Sequence, residues 1–444
     1  MRYHSTIFVG MDVHKNSFTV CAFVPADRVY FGQTKLSSDY DALLRYFKEL
    51  VDSYDVDAHL VCGYEAGCTG FDLYRYLTHH GIHCRVVAPN TIKEAKSKRR
   101  IKTDKRDAKL LAEAIAYDSC NYVTVPSQDL EDVREFIRMR DDHKTALKKT
   151  KQQIKSFCLR HHLAFANDSW GLAHLQWLAS VKVPPQQRET LDEYLHTFFY
   201  QKEKIERLDN RIAEMANDPK YQSSVKNLCC IKGIKAQTAL SAISEIGDFK
   251  RFQSADQFAN FIGLVPGEDS SGDKQKRLCI TKAGNIHVRR LLVEAAQCYA
   301  KGKVGYKSKV IKARQAGCSE SVIAYADKAS SRLRRRYIKL TDHGKAANVV
   351  KTAIARELSG FIWGMMTGNY GQLNEQGHPL VDTSSSSSQE KPLSLSPNKE
   401  VSPGPLSGKK AGVASNKQTS EKPHPKIDRI KQMIADRKQK ARQQ

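Results

Sequence analysis

No stretch of this chain offers the roughly 18 consecutive apolar residues that a membrane span needs, so no membrane partner is expected. Met1 to Thr6 run straight into strand-like Ile7-Phe8-Val9 without the apolar centre of a signal peptide, which argues against export. The 11 cysteines include no Cys-x-x-Cys pair and sit mostly in apolar runs such as Leu60-Val61-Cys62 and Leu278-Cys279-Ile280. They read as small core residues in a reducing cytoplasm. His79, His80, His83 and Cys84, with Cys62 and Cys68, match no zinc spacing, and Gly81 interrupts the helix that would align His79 with His83. No G-x-x-x-x-G-K-[S/T] loop occurs, so ATP is not expected to drive the chemistry. What the chain has in excess is positive charge: 72 Lys+Arg against 48 Asp+Glu, a formal +24 over 444 residues. Such a surplus marks a phosphate-rich partner, because each phosphate neutralised releases a condensed counterion.

The charge is not a property of the tail. After residue 370 the composition falls into Ser384 to Ser388, seven of the 14 prolines and scattered lysines, the signature of a disordered segment. That segment, 371–444, holds 13 Lys+Arg and 7 Asp+Glu, so it contributes +6 and the body keeps +18. Ile427, Ile430 and Ile434 have helical spacing near its end, but a solubilising tail is the expected reading.

Residues 1–128 alternate β-rich and helical runs. Ile7 to Val13 and Ser17 to Phe23 flank the tight polar connection His14-Lys15-Asn16, a hairpin signal, and Val29 to Lys35 follows as a third strand. A helix over Asp39 to Tyr54, a strand over His59 to Tyr64, a short helix over Leu73 to Thr78, a strand over Cys84 to Ala88 and a helix over Asp104 to Ala116 complete an α/β domain with a mixed sheet. Residues 129–222 carry two charged helices with apolar positions three and four apart, Val133 to Phe157 and Phe198 to Met215. With Pro184-Pro185 between them, they suggest an antiparallel coiled coil. Residues 223–370 read as globular and mostly helical, ending in a helix over about 346–366.

Four carboxylates stand where this pattern brings chain ends together. Asp12 closes the alternation Phe8, Gly10, Asp12 on one face of the first strand, and Glu65 ends the fourth. Asp104 and Asp107 lie three apart at a helix start and so share a side of it. If the first and fourth strands are neighbours, four hard oxygen ligands gather in one place. They suit Mg²⁺, with Mn²⁺ as the alternative, and such ions stabilise displacement at phosphorus. Taken singly, each is more often a turn or cap residue. Around them run Lys96, Lys98, Arg99, Arg100, Lys102, Lys105 and Arg106; carboxylates would repel a polyanion, so Lys98, Arg99, Arg100 and Lys102 are candidate phosphate holders. Lys282, Arg289 and Arg290 are candidates further along, and Arg332, Arg334, Arg335 and Arg336 form a third basic group. Cys230-Ile231-Lys232-Gly233-Ile234-Lys235 before helical Ala236 to Ile246 has the outline of a helix-hairpin-helix, with Lys235 where the second glycine is usual.

Asp12, Glu65, Asp104 and Asp107 on this strand order resemble the RuvC-like (ribonuclease H-type) nuclease fold. More narrowly, Phe8-Val9-Gly10-Met11-Asp12-Val13-His14-Lys15, Tyr64-Glu65-Ala66-Gly67 and Lys102-Thr103-Asp104-Lys105-Arg106-Asp107-Ala108 resemble the DEDD-type insertion-sequence transposases, the insertion-sequence one-ten family. Phe261-Ile262-Gly263-Leu264-Val265-Pro266, Ser270-Ser271-Gly272, and Ile280-Thr281-Lys282-Ala283-Gly284-Asn285 with Arg289-Arg290 are similar to that family's transposase domain. The resemblance covers about residues 5 to 366. It implies a RuvC-like α/β domain, an α-helical coiled coil and a mostly α-helical transposase domain. It also implies a recombinase whose serine before glycine, here Ser271 with Ser270 beside it, attacks a phosphodiester and becomes covalently linked to DNA. Its further implications are donor and target DNA as partners, an element-encoded non-coding bridge RNA that reads sequence by base pairing, and a homo-oligomer of dimers or tetramers joined by the coiled coil.

Two rivals stay open. A metal-dependent junction resolvase or nuclease would use water and leave Ser271 idle. A non-catalytic nucleic-acid-binding protein would use its acidic residues only as caps and turns.

Overall fold

A computed structural model describes residues 6–54, 58–89, 91–92, 103–166, 169–268, 277–370 and 425–443. The chain divides into two compact units, Met1–Ser127 and Gln128–Gln444. Among the described residues no helix is long and apolar enough to cross a membrane.

The first unit is built on β1 (Thr6–His14), β2 (Ser17–Val24), β3 (Val29–Ser37), α1 (Tyr40–Tyr54), β4 (His59–Glu65), α2 (Asp72–His79), β5 (His83–Val87) and α3 (Asp104–Ala116). The sheet order is β3-β2-β1-β4-β5. The first three strands are antiparallel neighbours, while β4 runs parallel to β1 and β5 parallel to β4. Period-2 alternation sends Ile7, Val9 and Met11 to one face, where they pack with Cys62 and Tyr64 against Leu43 and Phe47 of α1 and Leu73 and Leu77 of α2. The opposite face, with Phe8, Val61 and Val87, receives Leu111, Ala114 and Ile115 of α3.

Two glycines set how closely α3 lies on that face. A Cβ at Gly10 would stand 2.1 Å from the Ala108 carbonyl oxygen and 2.3 Å from the Ala112 nitrogen. At Gly63 it would stand 2.6 Å from Ile115 Cδ1. Backbone meets backbone at Gly10, and glycine is the residue that permits it.

The second unit begins with α4 (Gln128–Arg160), α5 (Leu172–Ser180), α6 (Pro185–Ala216) and α7 (Pro219–Cys229). Pro184 and Pro185 open α6 rather than break it, since a proline at the first helical position removes an N–H that has no intrahelical partner. The long helices α4 and α6 run antiparallel: Arg140 binds Asp209, Thr150 binds Gln201, and the Phe157 ring meets that of Tyr194. The rest comprises α8 (Ala236–Ile246), α9 (Ala255–Phe261), the hairpin β6 (Pro266–Glu268) and β7 (Arg277–Ile280), α10 (Ile286–Ala296), α11 (Lys309–Gln315), α12 (Glu320–Asp342) and α13 (Ala347–Thr367). α13 is apolar nearly all round and buries Ile354, Leu358, Phe361 and Trp363 at the centre of this core, as a wholly enclosed helix must.

The tail departs from expectation at its end. Within 371–444, residues Pro425–Gln443 form a helix, α14. Ile430 and Ile434 are buried against Leu195, Phe198 and Phe199 of α6 and Leu178 of α5. Arg437 reaches Asp192 at 3.4 Å and donates to the Ala179 carbonyl at 2.9 Å. Isoleucine spacing that looked incidental in a polar segment has an apolar groove to fill. The remainder of the tail lies outside the described residues.

Candidate metal centre

The register of the sheet assembles one row of polar side chains. Asp12 of β1 pairs across the sheet with Thr19 of β2, and Thr19 pairs with Lys35 of β3. Residues directly opposite in an antiparallel pair share a face, so these three lie on the α3 side with Gly10. On the other flank Met11 pairs with Tyr64, which makes Asp12 and Glu65 the next residues along two parallel strands and leaves Glu65 exposed at the strand end.

The helix supplies the other half. Thr103 caps α3 by accepting a hydrogen bond from the Arg106 amide at 3.4 Å, so the helix starts at Asp104 with Asp104 and Asp107 in its first turn. Carboxylates are favoured there by the helix dipole. The close seat over Gly10 then brings that turn to the end of β1. Further bonds tie α3 to β3: Gln33 donates to the Lys105 carbonyl at 3.0 Å, Tyr30 donates to Glu113, and Lys109 Nζ lies 3.6 Å over the Tyr30 ring.

His14 stands between the two carboxylates. Its Nε2 is 3.3 Å from Asp12 Oδ2 and 3.9 Å from Asp104 Oδ1. Lys35 Nζ lies 3.5 Å from the other oxygen of Asp104. One ligand atom each from Asp12, His14 and Asp104 falls within 4.8 Å of the others. Octahedral ligands about 2.1 Å from a cation are about 3 Å apart when adjacent and about 4 Å apart when opposite, so a small inward movement would let one divalent ion bind all three. The donors fit, and the side chains of Asp12, Asp104 and His14 are 21%, 45% and 57% exposed, which leaves room for water and a phosphate oxygen.

Of the four carboxylates expected to converge, Asp12 and Asp104 thus meet. Asp107 is half-buried one turn on, and Glu65 lies beside Asp12 along the sheet edge; both stand outside the mutually close group. His14 and Lys35 were not singled out from sequence, although the i, i+2 spacing of Asp12 and His14 on a strand already puts both on one face. Lys98, Arg99, Arg100, Lys102, Ser270 and Ser271 lie outside the described residues; the two serines fall between β6 and β7.

The second unit uses its charges differently. Arg138 grips Glu245 through two bonds of 2.8 Å, and Asn285 donates to the same carboxylate at 2.8 Å. Burial alone would raise the Glu245 pKa, but these donors outweigh it and hold the group below the usual range. Arg289 donates to the Ile262 and Ala283 carbonyls, and Arg290 pairs with Asp141. Lys282 is exposed between β7 and α10. Arg332 and Arg336 both pair with Glu357, and Arg334 donates to the carbonyls of Tyr299, Ala300 and Gly302, so Arg335 is the exposed member without a role in these contacts. Gly233 of the hairpin packs against α10, where a Cβ would stand 2.7 Å from the Ala295 carbonyl oxygen; this favours packing over nucleic-acid contact.

A mixed sheet of this order, with acids at the end of its central strand and in the first turn of the helix above, fits a ribonuclease H-like DEDD domain, and such enzymes generally depend on metal. The family model for DEDD transposases of the IS110 type matches residues 9–162, and that described as "Transposase IS116/IS110/IS902 family" matches residues 225–309. The Sinorhizobium fredii protein y4qE is 35% identical over 80% of this chain and 87% of its own length. The transposase for insertion sequence element IS1533 of Leptospira borgpetersenii is 30% identical over 74% and 95%. A pilin gene-inverting protein of Moraxella bovis is 25% identical over 69% and 87%. The chain belongs to the IS110 family of DEDD transposases, enzymes of DNA transposition.

Proposed function

We propose that this transposase cuts and rejoins DNA through a serine ester, with Asp12, Glu65, Asp104 and Asp107 holding Mg²⁺ or Mn²⁺. The observation that carries the reading is the approach of Asp104 to Asp12 where α3 packs on β1. A bound divalent ion supplies charge neutralisation at phosphate oxygens and lowers the pKa of a coordinated hydroxyl. The residues of the chain do the rest. Ser271 Oγ attacks phosphorus, forming an Oγ–P bond as the P–O bond to one sugar breaks; the serine proton is lost and the departing sugar oxygen gains one. Rejoining runs the step in reverse, with the hydroxyl of a new sugar attacking and serine leaving. The number of ester bonds is conserved, so no ATP is consumed, in keeping with the missing phosphate loop.

The basic body would hold nucleic-acid backbones, through Lys98, Arg99, Arg100 and Lys102, which precede Asp104 in sequence, and through Lys282, Arg289 and Arg290 in the second unit. Arg289 and Arg290 would first have to exchange their internal partners. A bridge RNA would read donor and target by pairing, and the α4/α6 pair, acting as a coiled coil, would join subunits into dimers or tetramers. That a relative carries the name of a gene-inverting protein supports rejoining, since inversion must reseal what it cuts.

Trapping is the test. Denaturing electrophoresis of the full chain with labelled element-end DNA and Mg²⁺ is expected to show a protein–DNA adduct that Ser271→Ala abolishes and Ser270→Ala retains. Free ends produced equally by Ser271→Ala would favour the water-using nuclease instead.

A further inference from the structure

From the geometry at the end of β1 we infer that His14 is a nitrogen ligand of the catalytic cation, making the site prefer Mn²⁺ or a later divalent metal over Mg²⁺. The inference rests on the reading of Asp12 and Asp104 as metal ligands and adds the donor that sets metal choice.

Three observations converge. His14 Nε2 lies 3.3 Å and 3.9 Å from oxygens of two different elements, β1 and α3, within the range that adjacent and opposite ligands of one ion span and longer than tight ion pairs. Asp12 and His14, two apart on a strand, point to one face, so no backbone change is needed for both to bind one ion. The third is independent of the acids: Thr19, paired with Asp12 across β1 and β2, is 1% exposed, and its buried hydroxyl has no hydrogen-bond partner among the described residues. It shares its face with Cys21, which feels the charges of Lys109 and Glu113 on α3, so it lies under the same helix as the site. Buried hydroxyls are nearly always satisfied, and an orphan next to a ligand-forming Asp points to a guest that bonds it, such as water in a cation's shell.

The donor type decides the metal. Mg²⁺ takes oxygen donors and sheds water reluctantly, whereas imidazole affinity rises along the first-row series from Mn²⁺. Lys35, 3.5 Å from the other oxygen of Asp104, would orient that carboxylate for the ion.

The test uses the chelator-treated full chain and Mn²⁺ alone. Pulsed electron paramagnetic resonance is expected to show nitrogen coupling from a directly bound imidazole, which shifts on ¹⁵N-histidine labelling and disappears in His14→Gln. In that variant the ratio of Mn²⁺ to Mg²⁺ affinity should fall by more than about tenfold. Mn²⁺ binding that needs Asp12 and Asp104 yet shows no nitrogen coupling, or coupling that survives in His14→Gln, overturns the inference and leaves the carboxylate site standing. Binding indifferent to both Asp12→Asn and Asp104→Asn removes the metal site itself. Should His14→Gln fail to fold, labelling of the wild-type protein decides alone.

Discussion

The two units treat carboxylates in opposite ways. In the helical unit Glu245, Asp209 and Asp192 lie under guanidinium groups at 2.6–2.8 Å, two of them nearly buried; the first two pairs fasten one helix to another, and the third lies within α6. In the sheet unit Asp12 and Asp104 come together at an exposed edge, with the His14 imidazole 3.3 and 3.9 Å from their oxygens and the Lys35 ammonium 3.5 Å from Asp104. A carboxylate saturated by arginine has little left to offer a ligand, since its lone pairs are spent. One that meets another carboxylate at the end of a strand is retained at an electrostatic cost, and that cost signals chemistry. In this chain partner type and exposure therefore set the candidate metal centre apart from the acidic scaffold.

The sharpest break of this contrast is Asp104→Asn. The amide keeps the shape and the Thr103 cap while removing a charge, so melting temperature should hold as strand cleavage falls by on the order of 10²–10³-fold or more. Equal loss of stability and activity would place Asp104 in the scaffold. The converse change, Arg138→Ala, leaves Glu245 without its two-pronged partner. Removing one member of a buried pair costs about 3–5 kcal/mol, an upper bound here because Arg138 is 42% exposed, and chemical denaturation should register a loss of at least half that.

Gly10→Ala tests whether close packing of α3 is what assembles the site. The added methyl meets backbone at 2.1 Å and must lift the helix, at a cost of about 1–3 kcal/mol. Activity should fall further than stability accounts for, by about 10²-fold, because an ångström of displacement at α3 parts Asp104 from Asp12. Rescue of activity at high Mn²⁺ concentration would indicate a displaced but intact ligand set.

How far this was legible in the sequence depended on distance along the chain. Alternation placed Asp12 on a face with Gly10, and local periodicity ordered the eight elements of the first unit as the structure has them. His14 was masked by its second identity as a turn residue in His14-Lys15-Asn16, though its spacing from Asp12 carried the signal. The Arg138–Glu245–Asn285 network joins residues far apart in sequence, and no local pattern marks such a contact. Nor did spacing alone show that Ile430 and Ile434 have a surface to cover; that depends on Phe198 and Phe199, found in another segment.

A pH series separates the two kinds of carboxylate more gently. Folded Glu245 holds its proton less tightly than it would in the unfolded chain, so as pH falls through the ordinary carboxylate range the unfolded state takes up more protons and stability drops. Thermal melts between about pH 5 and 3 should therefore steepen with acidity, and Glu245→Gln should flatten that slope. An unchanged slope would mean the buried pair is not what acid attacks.

Removal of α14 should have the smallest effect, because few contacts hold it. Burial of Ile430 and Ile434 contributes about 1.5–3 kcal/mol each, and the link from Arg437 to Asp192 adds a fraction of that. A 19-residue helix anchored by so few buried side chains gains little beyond the freedom it loses on docking, whereas α13 is enclosed by the core on most of its surface. Truncation after residue 424 should lower the melting temperature by no more than a few degrees. In the full chain, α14 amides should exchange with deuterium orders of magnitude faster than those of α13. Protection of α14 equal to that of α13 would show that contacts beyond these residues, such as a second copy of the chain, lock the helix in place.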